Sequence, residues 1–104
     1  MKIEVLYFKG CPNHRPAMDR LRSVLSQERL SAHIAEIEVK DEDAARALKF
    51  IGSPTIRVDG LDIEISARTV EEPAFACRRY VGGLPPEEMI RSALREARMV
   101  VKSE

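Results

Sequence analysis

The sequence predicts a single α/β domain, a four-stranded mixed sheet with helices on both faces. Three observations lead there. Short β-prone runs alternate with segments of helical period along the 104 residues. The first of these runs is apolar on both faces, as in a central strand covered by helices. The order is strand, helix, strand, helix, strand, strand, helix. It calls for a parallel pair joined by a right-handed crossover early in the chain and an antiparallel pair later.

Residues 2–8 form the first predicted strand. Residues 12–28 follow as an amphipathic helix with Ala17, Met18, Leu21, Val24 and Leu25 on its apolar side. Pro12 suits the first position of that helix, where no N–H is missed, and Pro16 falls at or just past the first turn. His33 to Val39 alternates, with Ala35, Ile37 and Val39 on one face, and reads as the second strand. Asp41 is placed to cap a short helix over 42–50 that buries Ala44, Ala45 and Leu48. Gly52-Ser53-Pro54 ends it. Thr55 to Val58 is the third strand, and Asp59-Gly60 is a strong turn signal. Leu61-Asp62-Ile63-Glu64-Ile65 follows the turn, and a polar segment, Ser66 to Pro73, leads to Ala74–Val81, which reads as the fourth strand, antiparallel to the third. Pro85-Pro86-Glu87-Glu88 opens a last helix with Met89, Ile90, Ala93, Leu94 and Ala97 along one face.

Hydrophobic residues make up 44% of the chain and charged residues 33%, the balance of an ordinary globular domain. Seventeen basic side chains offset seventeen acidic ones, which gives no argument for a nucleic-acid or anionic-membrane partner. No apolar run approaches the roughly 18–20 residues of a transmembrane helix. Lys2 and Glu4 interrupt the amino-terminal run, so it does not have a signal-peptide layout, and a cytoplasmic location is expected. Two cysteines in that compartment point to reactive or buried thiols rather than a structural disulfide.

Cys11 is the chemical focus. It lies where the first strand turns into the first helix, and the free N–H groups at a helix start stabilise an anion such as a thiolate. If Cys11 is the N-cap, the amides of Asn13 and His14 point at its sulfur. The bland alternative is an inert loop cysteine. His14, three residues on, shares the helix side of Cys11 and is a candidate proton acceptor, although a helix start disfavours an imidazolium. Ser53-Pro54 is a candidate cis bond that leaves the backbone of Ser53 free beside Cys11. Its plainer role is to break a helix. Cys77 sits five residues before Gly82, so an extended strand carries it roughly 16 Å from that end of the sheet. That favours packing as a small apolar residue over a resolving or metal-binding role, because a disulfide needs Cα atoms within about 7 Å. Arg15, Arg78 and Arg79 are candidates for an anionic substrate. His33 reads as an ordinary strand-end residue, and the stretch Leu61–Pro73, longer than a hairpin needs, as a candidate lid or partner surface.

These pieces together resemble the thioredoxin-like superfamily. Cys11-Pro12-Asn13-His14 stands where that family carries Cys-x-x-Cys or Cys-x-x-Ser, Ser53-Pro54-Thr55 matches its cis-proline element, and Val81-Gly82-Gly83-Leu84 matches its late glycine pair. Cys77-Arg78-Arg79-Tyr80 is similar to an element of small bacterial thioredoxin-like proteins, some of them labelled alkylmercury-lyase-like. The resemblance implies catalysis by Cys11 with His14. It also implies a substrate surface formed by Pro12, Asn13, Ser53, Pro54, Thr55, Gly82 and Gly83, with the Ser53 backbone pairing an extended substrate or the peptide part of glutathione.

His14 replaces the second cysteine of a dithiol site, so the implied reaction is that of a monothiol oxidoreductase. Cys11 would attack a disulfide of a protein or of glutathione and be released by an external thiol, with glutathione as co-substrate at most and no resident cofactor. Two alternatives stand beside it. One is soft-metal or organomercurial binding at Cys11 with His14 or Cys77, although Cys-x-x-His alone is a poor metal signature. The other is a redox-inactive module that uses the same groove to hold a protein partner.

Overall fold

Alternate residues of the first run face opposite ways, and both sets are apolar: Ile3 and Val5 on one side, Leu6 on the other, all fully buried. A computed structural model of the chain describes residues 1–102, with side chains as far as Met99. There this run is strand β1, Lys2–Tyr7, at the centre of a four-stranded sheet. Helix α1, His14–Gln27, crosses to β2, His33–Glu38, which pairs parallel to β1 from Lys2↔His33 to Tyr7↔Glu38. Helix α2, Glu42–Leu48, leads to β3, Thr55–Val58, which pairs antiparallel to the other side of β1.

The fourth strand is not the one the sequence predicts. β4 is Leu61–Asp62, paired antiparallel to β3 through Arg57↔Asp62 and Val58↔Leu61. Asp59 and Gly60 both have positive φ, 49° and 86°, as a two-residue hairpin turn of this hand requires. The turn signal was correct and the strand begins immediately after it. Residues 74–81 form no strand of the sheet; they make one isolated parallel bridge, Ser53↔Cys77. Burial alternates along Cys77, Arg78, Arg79 and Tyr80, so the segment is extended, but it crosses the end of the sheet instead of joining it. A 3-10 turn, Ile65–Thr69, follows β4, and helix α3, Glu87–Lys102, closes the fold.

The sheet order is β2-β1-β3-β4. Helices α1 and α3 cover one face, where Leu21, Val24, Ile90 and Leu94 pack on Ile3, Val5, Ile56 and Val58. Helix α2 covers the other face, where Ala45 and Phe50 pack on Leu6 and Val39. Fully burying a side chain of this size contributes about 1.5–3 kcal/mol. The carboxylate of Asp41 accepts the Ala44 N–H at 2.7 Å, which is the expected N-cap of α2. The helix stops at Lys49 in the left-handed region, two residues short of the predicted end, and turns Phe50 into the core. None of the described helices is long and apolar enough to cross a membrane.

Candidate functional site

Two successive turns convert β1 into α1, and Cys11 belongs to both. Its N–H donates to the Phe8 carbonyl at 3.2 Å, and its carbonyl accepts the His14 N–H at 3.3 Å. The helical bonding begins at Asn13, whose carbonyl accepts the Ala17 N–H at 3.0 Å. Asn13, not Cys11, is therefore the N-cap, and the amide of His14 meets the Cys11 carbonyl rather than its sulfur. Pro12 sits at the second position of the turn, where its fixed φ is favoured, and not inside the helix. Pro16 is the third helical residue, still among the N–H groups that have no partner inside the helix. Cys11 itself is buried, at 9% exposure.

His14 does not lie idle at the surface. Its ring stacks on Tyr7, with centroids 3.7 Å apart and planes 6° from parallel. Nε2 lies 2.8 Å from a carboxylate oxygen of Glu36 on β2. Glu36 stands opposite Val5 in the parallel register, on the strand face that also presents Tyr7. When Nε2–H donates to Glu36, Nδ1 is left as the acceptor nitrogen. Glu36 and Tyr7 are site residues that sequence reasoning passed over. Their signal was the alternation of β2, which sends Glu36 to the opposite face from Ile37.

Ser53, which opens the Ser53-Pro54-Thr55 element, meets the start of the Cys11 turn from the other side. The Ser53 hydroxyl accepts the Phe8 N–H at 3.2 Å, so Phe8 is held by Ser53 through its amide and by Cys11 through its carbonyl. The Ser53–Pro54 bond is cis. The expectation of a free Ser53 backbone is overturned. Ser53 N–H donates to the Ala76 carbonyl at 2.8 Å, and the Ser53 carbonyl accepts the Arg78 N–H at 2.9 Å. The chain's own segment takes both groups that an extended substrate would need, and Ser53, Pro54 and Thr55 are all buried.

That segment is fastened by Cys77-Arg78-Arg79-Tyr80. Arg78 carries no substrate-facing charge: it is 8% exposed and pairs with Asp62 at 2.7 and 2.8 Å and with Glu64 at 2.9 Å. Burial opposes its charge, but Asp62 and Glu64 outweigh burial and raise the guanidinium's hold on its proton. The same guanidinium lies over the Tyr80 ring, 4.7 Å from its centroid. Burial pushes the Tyr80 phenol well above its usual range, which keeps it protonated as the donor to the Pro54 carbonyl at 2.8 Å. Gly52 allows this close crossing, because a Cβ there would stand 2.7 Å from Arg78 Cβ. Cys77 is exposed, contrary to the expected packing as a small apolar residue. Its neighbour Arg78 takes the inward place.

The glycine pair reaches the site as expected. Asn13 Nδ2 donates to the Gly83 carbonyl at 3.4 Å, which docks the Gly82-Gly83 turn on the start of α1. Pro12, Gly82, Gly83, Arg15, Arg79 and Cys77 are the exposed members of the predicted set. The stretch Leu61–Pro73 is pinned to the fold through Arg68, which donates to the Asp62 carbonyl and to both carboxylate oxygens of Glu96. His33 is exposed at the start of β2. Among the described residues no group of three or more His, Cys, Asp or Glu side chains is arranged to hold a metal ion. No family model matches the chain, and no curated protein or solved structure matches it.

Proposed function

We propose that this chain is a thiol–disulfide oxidoreductase of the thioredoxin-like kind, with Cys11 as its nucleophile. The observation that carries the reading is the double hold on Phe8, whose amide donates to Ser53 and whose carbonyl accepts from Cys11, so that one residue links the Cys11 turn to Ser53-Pro54. A central β1 with a parallel β2 and an antiparallel β3 supports the same topology. Cys11 attacks one sulfur of a protein or glutathione disulfide and forms a mixed disulfide, expelling the other sulfur as a thiolate. A second thiol then releases it; glutathione can supply that thiol. His14, oriented by Glu36, takes the proton of the Cys11 thiol on this reading. A cytoplasm kept rich in reduced thiols suits such a cycle.

The test is turnover of a glutathione-peptide mixed disulfide with glutathione as reductant. The wild-type chain should accelerate it, and Cys11→Ser should fall to the uncatalysed rate. Activity retained in Cys11→Ser would refute the proposal.

A further inference from the structure

We propose that Cys77 is the second thiol of the Cys11 site, so that the mixed disulfide is resolved inside the chain by a Cys11–Cys77 bond. This rests on Cys11 being the nucleophile. The bridge Ser53↔Cys77 is parallel, and paired residues of such a bridge project to the same face. Ser53 sends its hydroxyl toward Phe8 on that face, at 3.2 Å from the Phe8 amide. Phe75, two residues before Cys77, brings its ring to 5.7 Å from that of Phe8. Phe8 in turn accepts the Cys11 N–H. The Ser53 hydrogen bond sets the face shared with Cys77 toward Phe8, and the Phe75 ring keeps the same segment beside Phe8.

Arg78 fixes which face this is. Its burial against Asp62, Glu64 and Thr55 holds the opposite side of the segment inward, so Cys77 cannot exchange places with it. Ser53 pairs with this segment through the two backbone groups that an extended substrate would use. Here the chain supplies its own strand and its own thiol. A Cys11–Cys77 bond brings the two Cα atoms to the usual spacing of about 5.5–6 Å.

The steps balance without a further oxidant. Cys11 thiolate attacks RS–SR′, the Cys11–SR bond forms, and R′S⁻ leaves. Cys77 thiolate then attacks the Cys11 sulfur, the Cys11–SR bond breaks, and RS⁻ leaves as the Cys11–Cys77 bond forms. Two electrons pass from the protein dithiol to the external disulfide, and the two thiol protons end on RSH and R′SH. A low-molecular-weight thiol or a dithiol resets the protein.

The experiment treats the reduced full-length chain with oxidised glutathione, blocks remaining thiols at timed intervals and measures intact mass without reductant. Wild type should pass quickly to a monomeric, adduct-free oxidised form with no thiol left to block. Cys77→Ser and Cys77→Ala, both at an exposed position, should instead hold one glutathione on Cys11 for roughly tenfold longer or more. A wild-type chain that keeps the adduct as long as the Cys77 variants, or that forms a disulfide-linked dimer, overturns the role of Cys77 and leaves Cys11 as the nucleophile. No adduct on Cys11 in any variant overturns both.

Discussion

Both terminal nitrogens of Arg78 meet the carboxylate of Asp62, and the two side chains are 6% and 7% exposed. A buried pair of this kind adds little net stability over an apolar pair of the same volume, because desolvation offsets most of the attraction. Breaking it is a different matter. Arg78→Ala leaves the Asp62 carboxylate buried without its partner and should cost about 3–5 kcal/mol in a denaturant titration. The double variant Arg78→Met with Asp62→Leu should recover a large part of that loss. If the two changes simply add, the coupling between them is absent. The same residue shows where local sequence reading stops. Arg78 lies in a run, Ala74 to Val81, whose composition suits a strand, and three arginines near a proposed site suggest a substrate anion. The partner that turns Arg78 inward lies sixteen residues earlier, inside the apolar stretch Leu61-Asp62-Ile63. An acid flanked by apolar residues was the available signal, and nothing local says which cation answers it.

At the scale of elements, the segments whose own chemistry decides them were legible. The face Ala17, Met18, Leu21, Val24 and Leu25 of α1 is buried as its period predicts, and Ile90, Ala93, Leu94 and Ala97 do the same for α3. Asp41 caps α2 by the mechanism its side chain suggests, with its backbone extended at φ −159° and its carboxylate on Ala44 N–H. Asp41→Ala should therefore lower stability by about 1 kcal/mol, whereas Asp41→Asn should come close to wild type. Equal losses in the two variants would mean that the cap bond is not what Asp41 contributes. Elements decided by distant pairing were not legible. β4 is two residues long because Asp62 is drawn to Arg78 and the chain then leaves the sheet, while 74–81 keeps a strand's alternation without strand neighbours. The Cys11 turn is an intermediate case. Its place between β1 and α1 follows from sequence period, but the shift of the N-cap to Asn13 comes from the pair of turns that Pro12 favours.

Across the whole molecule, the carboxyl ends of the parallel strands β1 and β2 and the start of the antiparallel β3 meet at one end of the sheet. Cys11 and Ser53 lie there, and Glu36 stands two residues before the end of β2. Helix α3 brings the glycine pair to that end, and its own position is set along its length. Arg20 on α1 donates to the Pro85 carbonyl at 3.0 Å before α3 begins. Farther on, Arg91 and Arg95 reach Glu28 just past α1, and Glu96 accepts from Arg68 in the 3-10 turn. The hydrogen bond from Arg95, ahead of the charges of Arg95 and Arg91, holds the Glu28 carboxyl below its usual value against the opposing pull of burial. The hydrogen bond from Arg68 does the same for Glu96. A carboxyl depressed on folding binds its proton less readily in the folded state than in the unfolded one. Its contribution is therefore fully present above the ordinary value of 4.5 and is lost as pH falls through the depressed folded value. Thermal midpoints measured from pH 7 down to pH 3 should show wild type falling more steeply below the ordinary glutamate range than a Glu28→Gln, Glu96→Gln double variant. Wild type should be the more stable of the two near neutrality, and the difference should close in acid as both carboxyls take up their protons. A gap that stays constant across the range would mean that these residues hold α3 by packing alone. A gap that closes places the seating of α3, and with it the Gly83 contact to Asn13, under the charge of two carboxylates far from the cysteines.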